Sequence, residues 1–213
     1  MSNKQRYEGS RIAVCFDASR CIHAGHCVKG SPEVFRSDAG NAWIFPDAAS
    51  ANDIAALCDT CPSGALSYQR SDGGADEAQP EINTITVEAD GPLTVHADFT
   101  LNGEEPDGFR ATLCRCGASR NKPWCDGSHT ETGFSDPGDV PPFNPDAESE
   151  AGSVDIKPFK NGPLFLVGPH VIRDSHGQTA RVCNKCVLCR CGGSRHKPYC
   201  DGSHMEIGFE SED

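Results

Sequence analysis

The chain has 213 residues, 37% hydrophobic and only 7% aromatic, a thin supply for one large core and better suited to small, stapled modules. Its formal charge of −12, from 31 acidic against 19 basic residues, disfavours non-specific nucleic-acid binding and suits a partner with a basic patch. No apolar run reaches the roughly eighteen residues of a membrane span, and Met1 to Ser10 has no apolar signal core. The thirteen cysteines are therefore expected to bind metal in a reducing cytoplasm rather than to form disulfides.

In chain order, Arg11 to Asp17 alternates like a strand and leads into Cys21-Ile22-His23-Ala24-Gly25-His26-Cys27. Ser31-Pro32-Glu33 predicts a helix start, with Ser31 as N-cap and Pro32 at the first position. Ala42 to Phe45 reads as another strand. Ser50 opens a helix in a capping-box arrangement with Asp53, and Ile54, Leu57, Cys58 and Cys61 fall on one helical face. That helix is expected to stop at Cys61-Pro62-Ser63-Gly64, before a strand from Ala65 to Tyr68.

Two composition shifts divide the rest. Ser71 to Pro80 is small and acidic, and Asp136 to Gly152 carries four prolines, Pro137, Pro141, Pro142 and Pro145; both read as linkers. Three modules result, 1–70, 81–135 and 153–213. The second and third repeat each other. Each has a Gly-Pro-Leu turn, at Gly91 and Gly162, then a short strand, Leu93 to Ala97 or Leu164 to Val167. A ligand-rich motif and a Gly-Phe pair, at Gly133 and Gly208, follow.

The motifs run from Cys114 to His129 and from Cys189 to His204, each carrying three thiols and a terminal imidazole as donor set. Residues two apart in an extended segment project to one side, so Cys114 and Cys116 can grip one metal ion, and Cys125 and His129 a second. Asp126 can cap a short helical turn carrying His129. The same assignment applies to Cys189 with Cys191 and to Cys200 with His204. Structural zinc is the alternative for a three-cysteine, one-histidine set, although its loops usually separate paired cysteines by two to four residues.

These residues closely resemble the CDGSH iron–sulfur family, through Cys-Arg-Cys-Gly, Ser119 and Ser194, the Lys-Pro pairs, the Cys-Asp-Gly-Ser-His runs and the terminal Gly-Phe. The resemblance covers modules two and three. It implies a [2Fe–2S] cluster in each motif, a compact β-rich fold and, for tandem members, a pseudo-symmetric pair within one chain. Reduction of such a cluster adds negative charge, so its potential is expected to depend on pH through His129 and His204. Arg115, Arg120, Lys122 and their counterparts Arg190, Arg195 and Lys197 could balance the cluster charge, dock an acidic partner, or be ordinary solvated charges.

Cys21 and Cys27, with the distant Cys61-Pro62, resemble a bacterial ferredoxin motif whose middle cysteine is replaced by Ala24. The wider run through Pro32-Glu33-Val34-Phe35 and Cys61-Pro62-Ser63-Gly64 resembles divergent single-cluster ferredoxin-like domains. The three cysteines imply a [3Fe–4S] cluster, or a [4Fe–4S] cluster with a further ligand such as His23 or His26, Cys58 being the outside candidate. Cys15 and Cys58 read as core cysteines, and Cys183 with Cys186 as packing residues, a redox pair being the alternative.

The expected fold is α+β: a ferredoxin-like α+β module followed by two β-rich CDGSH modules, a monomer with an internal pseudo-dimer. The expected role is electron transfer between redox protein partners, without enzymatic bond chemistry, since no dinucleotide fingerprint, nucleophile elbow or H-E-x-x-H helix is present. A cluster donor or redox and pH sensor is one alternative, and a zinc-stabilised interaction module another.

Overall fold

The computed structural model describes residues 4–40, 42–144 and 147–212. Met1 to Asn3 and, in the second proposed linker, Pro145 lie outside the described residues. The chain divides into two compact units, Met1–Ala78 and Gln79–Asp213. Its architecture is mixed α+β, and among the described residues no helix is long and apolar enough to cross a membrane.

The first unit is a three-stranded antiparallel sheet in the order β1 (Lys4–Tyr7), β2 (Ile12–Asp17), β3 (Leu66–Arg70). Helix α1 (His26–Gly30) is short, and α2 (Ala51–Asp59) packs on β3. The capping box forms as expected: the Ser50 hydroxyl accepts from the Asp53 amide at 3.2 Å, and Ile54, Ala55 and Cys58 face the core. Cys15 and Cys58 are buried thiols, the latter among Ile12, Val34 and Ile54. The helix expected at Ser31 does not form. Instead Ser31 ends α1, and its carbonyl accepts from both Val34 and Phe35 in a tight turn. The turn buries Val34 and Phe35, and Phe35 bridges to Ile44, leaving the expected strand at 42–45 as a single bridge.

The second unit is one seven-stranded sheet. Its strands are β4 (Thr84–Val87), β5 (Leu93–His96), β6 (Phe99–Leu101), β7 (Arg110–Leu113), β8 (Val154–Pro158), β9 (Leu164–Arg173) and β10 (Thr179–Leu188). The path runs β6-β8-β9-β4-β5-β7, with β10 also on β9. The two repeats interleave: β6 of the first lies parallel to β8 of the second, while β4 of the first lies parallel to the far half of β9. Within each repeat the remaining ladders are antiparallel and match, Leu93 opposite Leu113 and Leu164 opposite Leu188. The shared core holds Ile85, Val95 and Leu113 from one repeat with Ile156, Leu166 and Leu188 from the other.

Residues 136–144 of the expected second linker are fastened to this sheet. Val140 enters the core, and Asn144 exchanges hydrogen bonds with the Val182 backbone at 2.8 and 3.0 Å.

Candidate metal centres

Each ligand motif is pinned at both ends by a backbone ladder. The Cys114 amide donates to the Pro123 carbonyl at 2.8 Å and the Cys125 amide to Thr112 at 2.9 Å, so the first and third cysteines converge at the mouth of β7. The second motif repeats this at the end of β10, Cys189 to Pro198 at 2.7 Å and Cys200 to Val187 at 3.0 Å. Ser119 and Ser194 brace the loop interiors by donating to the carbonyls of Trp124 and Tyr199, each at 2.7 Å.

The donors fall into pairs. Cys114 and Cys116 sulfurs lie 3.8 Å apart, Cys189 and Cys191 3.7 Å. Cys125 sulfur lies 3.4 Å from Nδ1 of His129, and Cys200 sulfur 3.5 Å from Nδ1 of His204. Two thiolates on one tetrahedral ion at about 2.3 Å are separated by about 3.8 Å, so each pair has the bite for one metal ion. Yet within neither motif do three donor atoms lie within 4.8 Å of one another. A single zinc would need all four close together. Each motif thus offers two donor pairs, each with the spacing of two ligands on one metal ion.

The Asp-Gly-Ser-His turn presents the imidazole as the sequence predicts. Asp126 accepts from the Ser128 amide and hydroxyl at 3.0 and 2.6 Å and from the Arg120 amide at 2.9 Å; Asp201 does the same with Ser203 and Arg195. Burial opposes the charge on Asp126, but these donors outweigh it and hold the carboxyl below its ordinary range. Burial, reinforced by Arg115 and opposed by Asp126, lowers the His129 pKa and favours the neutral ring a metal needs. In each Cys-x-Cys pair the S–H···S contact favours ionising one sulfur before the other, lowering one thiol pKa and raising its partner's. Amides of Ala118, Gly127 and Gly193 each point at a ligand sulfur at 3.4 Å.

Arg115 and Arg190 are not solvated charges; both are 1% exposed. Arg115 donates to the carbonyls of Gly91 (2.9 Å) and Glu88 (2.5 Å), pairs with Asp136 and stacks under Phe134. Arg190 donates to Gly162, Phe159 and the Ser211 hydroxyl and lies under Phe209. Each clamps the Gly-Pro-Leu hairpin to the tail beyond its own motif. Lys122 and Lys197 donate to the carbonyls of Ser119 and Ser194, inside their loops. Arg120 and Arg195 are exposed, as a docking or solvated charge would be.

The two loops meet at the pseudo-two-fold axis. Cys116 and Cys191 form an antiparallel bridge. Gly117 (φ 83°) and Gly192 (φ 78°) turn against each other's strand, and a Cβ on either would lie 2.6 Å from the opposite cysteine's carbonyl oxygen.

In the first unit, Cys21, Cys27 and Cys61 line one pocket with His23, His26 and Trp43. Burial raises the thiol pKa of both Cys21 and Cys27, and repulsion from Cys61 adds to it, a cost that a bound iron cluster would relieve. His26 Nδ1 lies 3.0 Å from the Thr60 carbonyl, which fixes the proton there and leaves Nε2 with a free lone pair. His23 adopts a left-handed backbone (φ 58°) in the loop itself.

One group escaped sequence reasoning. His170, Cys183 and Cys186 converge within 4.8 Å on β9 and β10. The cysteines read as packing residues, and nothing in the local pattern tied a histidine thirteen residues upstream to them.

Comparison with known proteins agrees with this geometry. Residues 7–71 match the family described as divergent 4Fe-4S mono-cluster, and residues 90–130 and 161–205 each match the iron-binding zinc finger of CDGSH type. Two curated relatives, the uncharacterized protein YjdI of Escherichia coli strain K12 and that of Escherichia coli O157:H7, are each 40% identical over 63 residues. The match covers 30% of this chain and 82% of each relative. No solved structure matches the chain.

Proposed function

Because this chain belongs to the divergent 4Fe-4S mono-cluster family through its first unit and carries two CDGSH iron-binding domains in its second, we propose that it is an electron carrier with three iron–sulfur centres. The CDGSH sites would each hold a [2Fe–2S] cluster, one iron on a cysteine pair and the other on Cys and His. The first unit would hold a [4Fe–4S] cluster on Cys21, Cys27 and Cys61, with His26 as the fourth ligand. Bound there, such clusters supply one-electron chemistry; the protein positions and tunes them.

The observation that carries this reading is the separation of each CDGSH donor set into two pairs, 3.8 and 3.4 Å across in the first motif. The residues around them do the tuning. Amide donors to the sulfurs and an imidazole in place of a thiolate both raise a cluster's potential. The buried arginine clamps and the loop bracing hold the donor loops in place. The acidic surface suits a redox partner with a basic face, and clustered cysteines in cluster-type motifs fit a reducing cytoplasm. No bond chemistry is assigned to the chain.

Anaerobic purification with iron and sulfide counts and EPR tests this. About eight irons with reversible one-electron reduction is expected; about seven would mark a three-iron centre, and zinc without sulfide would end the proposal. Cluster donation is the second reading, favoured by the half-exposed His129 and His204. Rapid transfer of iron and sulfide to an apo-ferredoxin would select it over electron exchange.

A further inference from the structure

His170, Cys183 and Cys186 carry a chemistry that neither cluster uses. His170 is fully buried and Cys186 6% exposed, while Cys183 reaches the surface in part. Nε2 of His170 lies 3.1 Å from the Cys186 sulfur and 3.3 Å from that of Cys183. Its Nδ1 lies 2.7 Å from the Gly168 carbonyl, which can only accept, so the proton sits on Nδ1 and the Nε2 lone pair faces both sulfurs. A carbonyl holding the far nitrogen is the usual outer support of a metal-bound histidine.

The backbone is shaped to make this meeting. Residues three apart on a regular strand point to opposite faces. A register shift between Cys183 and Lys185 breaks that rule and turns both sulfurs toward His170. Opposite it, Gly168 takes φ 120°, with a Cβ there barred by the Ser153 carbonyl oxygen at 2.2 Å.

The other repeat is an internal control. Strand registers place Phe99 at the position of His170, and Ala111 at that of Cys186. Both are buried and apolar. The fold is therefore satisfied there by Phe and Ala, and packing alone does not call for a histidine and a thiol. A second-repeat pair that merely filled space would need no aligned lone pair.

We propose that His170, Cys183 and Cys186 form a mononuclear site for a thiophilic divalent ion, zinc above all, separate from the cluster sites. A tetrahedral zinc ion sets thiolate sulfur and imidazole nitrogen about 3.5 Å apart, so the trio needs to open by only a few tenths of an ångström. Among the described residues no fourth donor joins the group. The fourth position is left to water or an exogenous ligand on the side where Cys183 meets solvent, the arrangement of an open rather than a closed zinc site. Arg181, stacked over Tyr199 at 5.4 Å, lies on the same strand and favours an anionic occupant.

The test compares the full-length, cluster-loaded chain with a His170→Phe/Cys186→Ala variant that borrows the first repeat's own residues. Both are incubated anaerobically with Zn²⁺ and reductant, desalted, and assayed for zinc, iron and acid-labile sulfide. The wild type should retain one more zinc per chain than the variant, at equal iron and sulfide. Cys183→Ser, at a partly exposed position, should weaken zinc retention at least tenfold in competition with a chelator, and reads the site if the double variant folds poorly. Equal zinc in all three proteins overturns the proposal. So does a Cys183–Cys186 disulfide that persists under reductant and excludes zinc. Loss of iron and sulfide in place of zinc overturns it as well, because the trio would then serve a cluster rather than a separate ion.

Discussion

Cys116 and Cys191 pair backbone to backbone at the centre of the second unit, each beside the glycine that lets the opposite loop approach. Their contact joins the two metal loops into one structure.

Gly117→Ala or Gly192→Ala should therefore injure both centres at once. The left-handed φ and the 2.6 Å collision with a carbonyl oxygen together cost at least about 2 kcal/mol. Thermal unfolding should shift down, and iron content should fall in both CDGSH sites rather than in the mutated one alone. An unchanged melting temperature would contradict the close approach.

His129→Cys and His204→Cys should keep the protein coloured but lower the potential of the altered cluster, by on the order of 100 mV or more. Wild-type potentials should fall as pH rises across neutrality, and the double substitution should flatten that slope. Redox titration at several pH values checks both.

His26→Ala should turn the first unit's centre from four irons into three, with a new oxidised-state EPR signal and intact CDGSH signals. If the total iron count does not change, His26 is not a ligand.

Arg115→Met removes the clamp between the Glu88–Gly91 hairpin and Asp136, depriving the Gly91 carbonyl of its donor and leaving the Glu88 carbonyl and Asp136 carboxylate to the amides of Gly91 and Gly138. A loss of about 3 kcal/mol is expected in denaturant unfolding. Asp136→Asn, which keeps a hydrogen-bond acceptor, should cost less.

Tyr68 provides a pH signature in the first unit. Burial, with Asp59 adding to it, pushes its phenol up to about 12 from an ordinary value near 10. The folded state thus holds this proton more tightly than the unfolded chain. Its stability contribution is complete below about pH 10 and is lost as pH climbs to about 12. Denaturant midpoints across that window should fall for the wild type and fall less for Tyr68→Phe.

Much of this was legible in the sequence because it is local. The capping box at Ser50 formed, and the Cys and His pairs met as their spacing required. The Asp-Gly-Ser-His turn also behaved as read. What failed was decided by partners far along the chain. Ser31-Pro32 has the chemistry of a helix start, but burying Val34 and Phe35 against α2 and Ile44 requires a turn. Strand β1 is polar and lies at a sheet edge, so it carries no apolar alternation to read. Arg115 and Arg190 look like surface charges until the hairpin carbonyls they hold are in view. No local pattern reveals which repeat a strand will join, and His170 gains its meaning only from that pairing.

The crossing of β6 and β4 into the opposite repeat means that each half completes the other's sheet. A symmetric assembly of identical copies must carry every alteration in duplicate, each one compatible with its own mirror. Joining unlike halves in a single polypeptide lifts that demand. The trio at His170 opposite plain Phe99 and Ala111 is what such freedom permits: two matching positions, apolar in one half and carrying an imidazole and a thiol in the other.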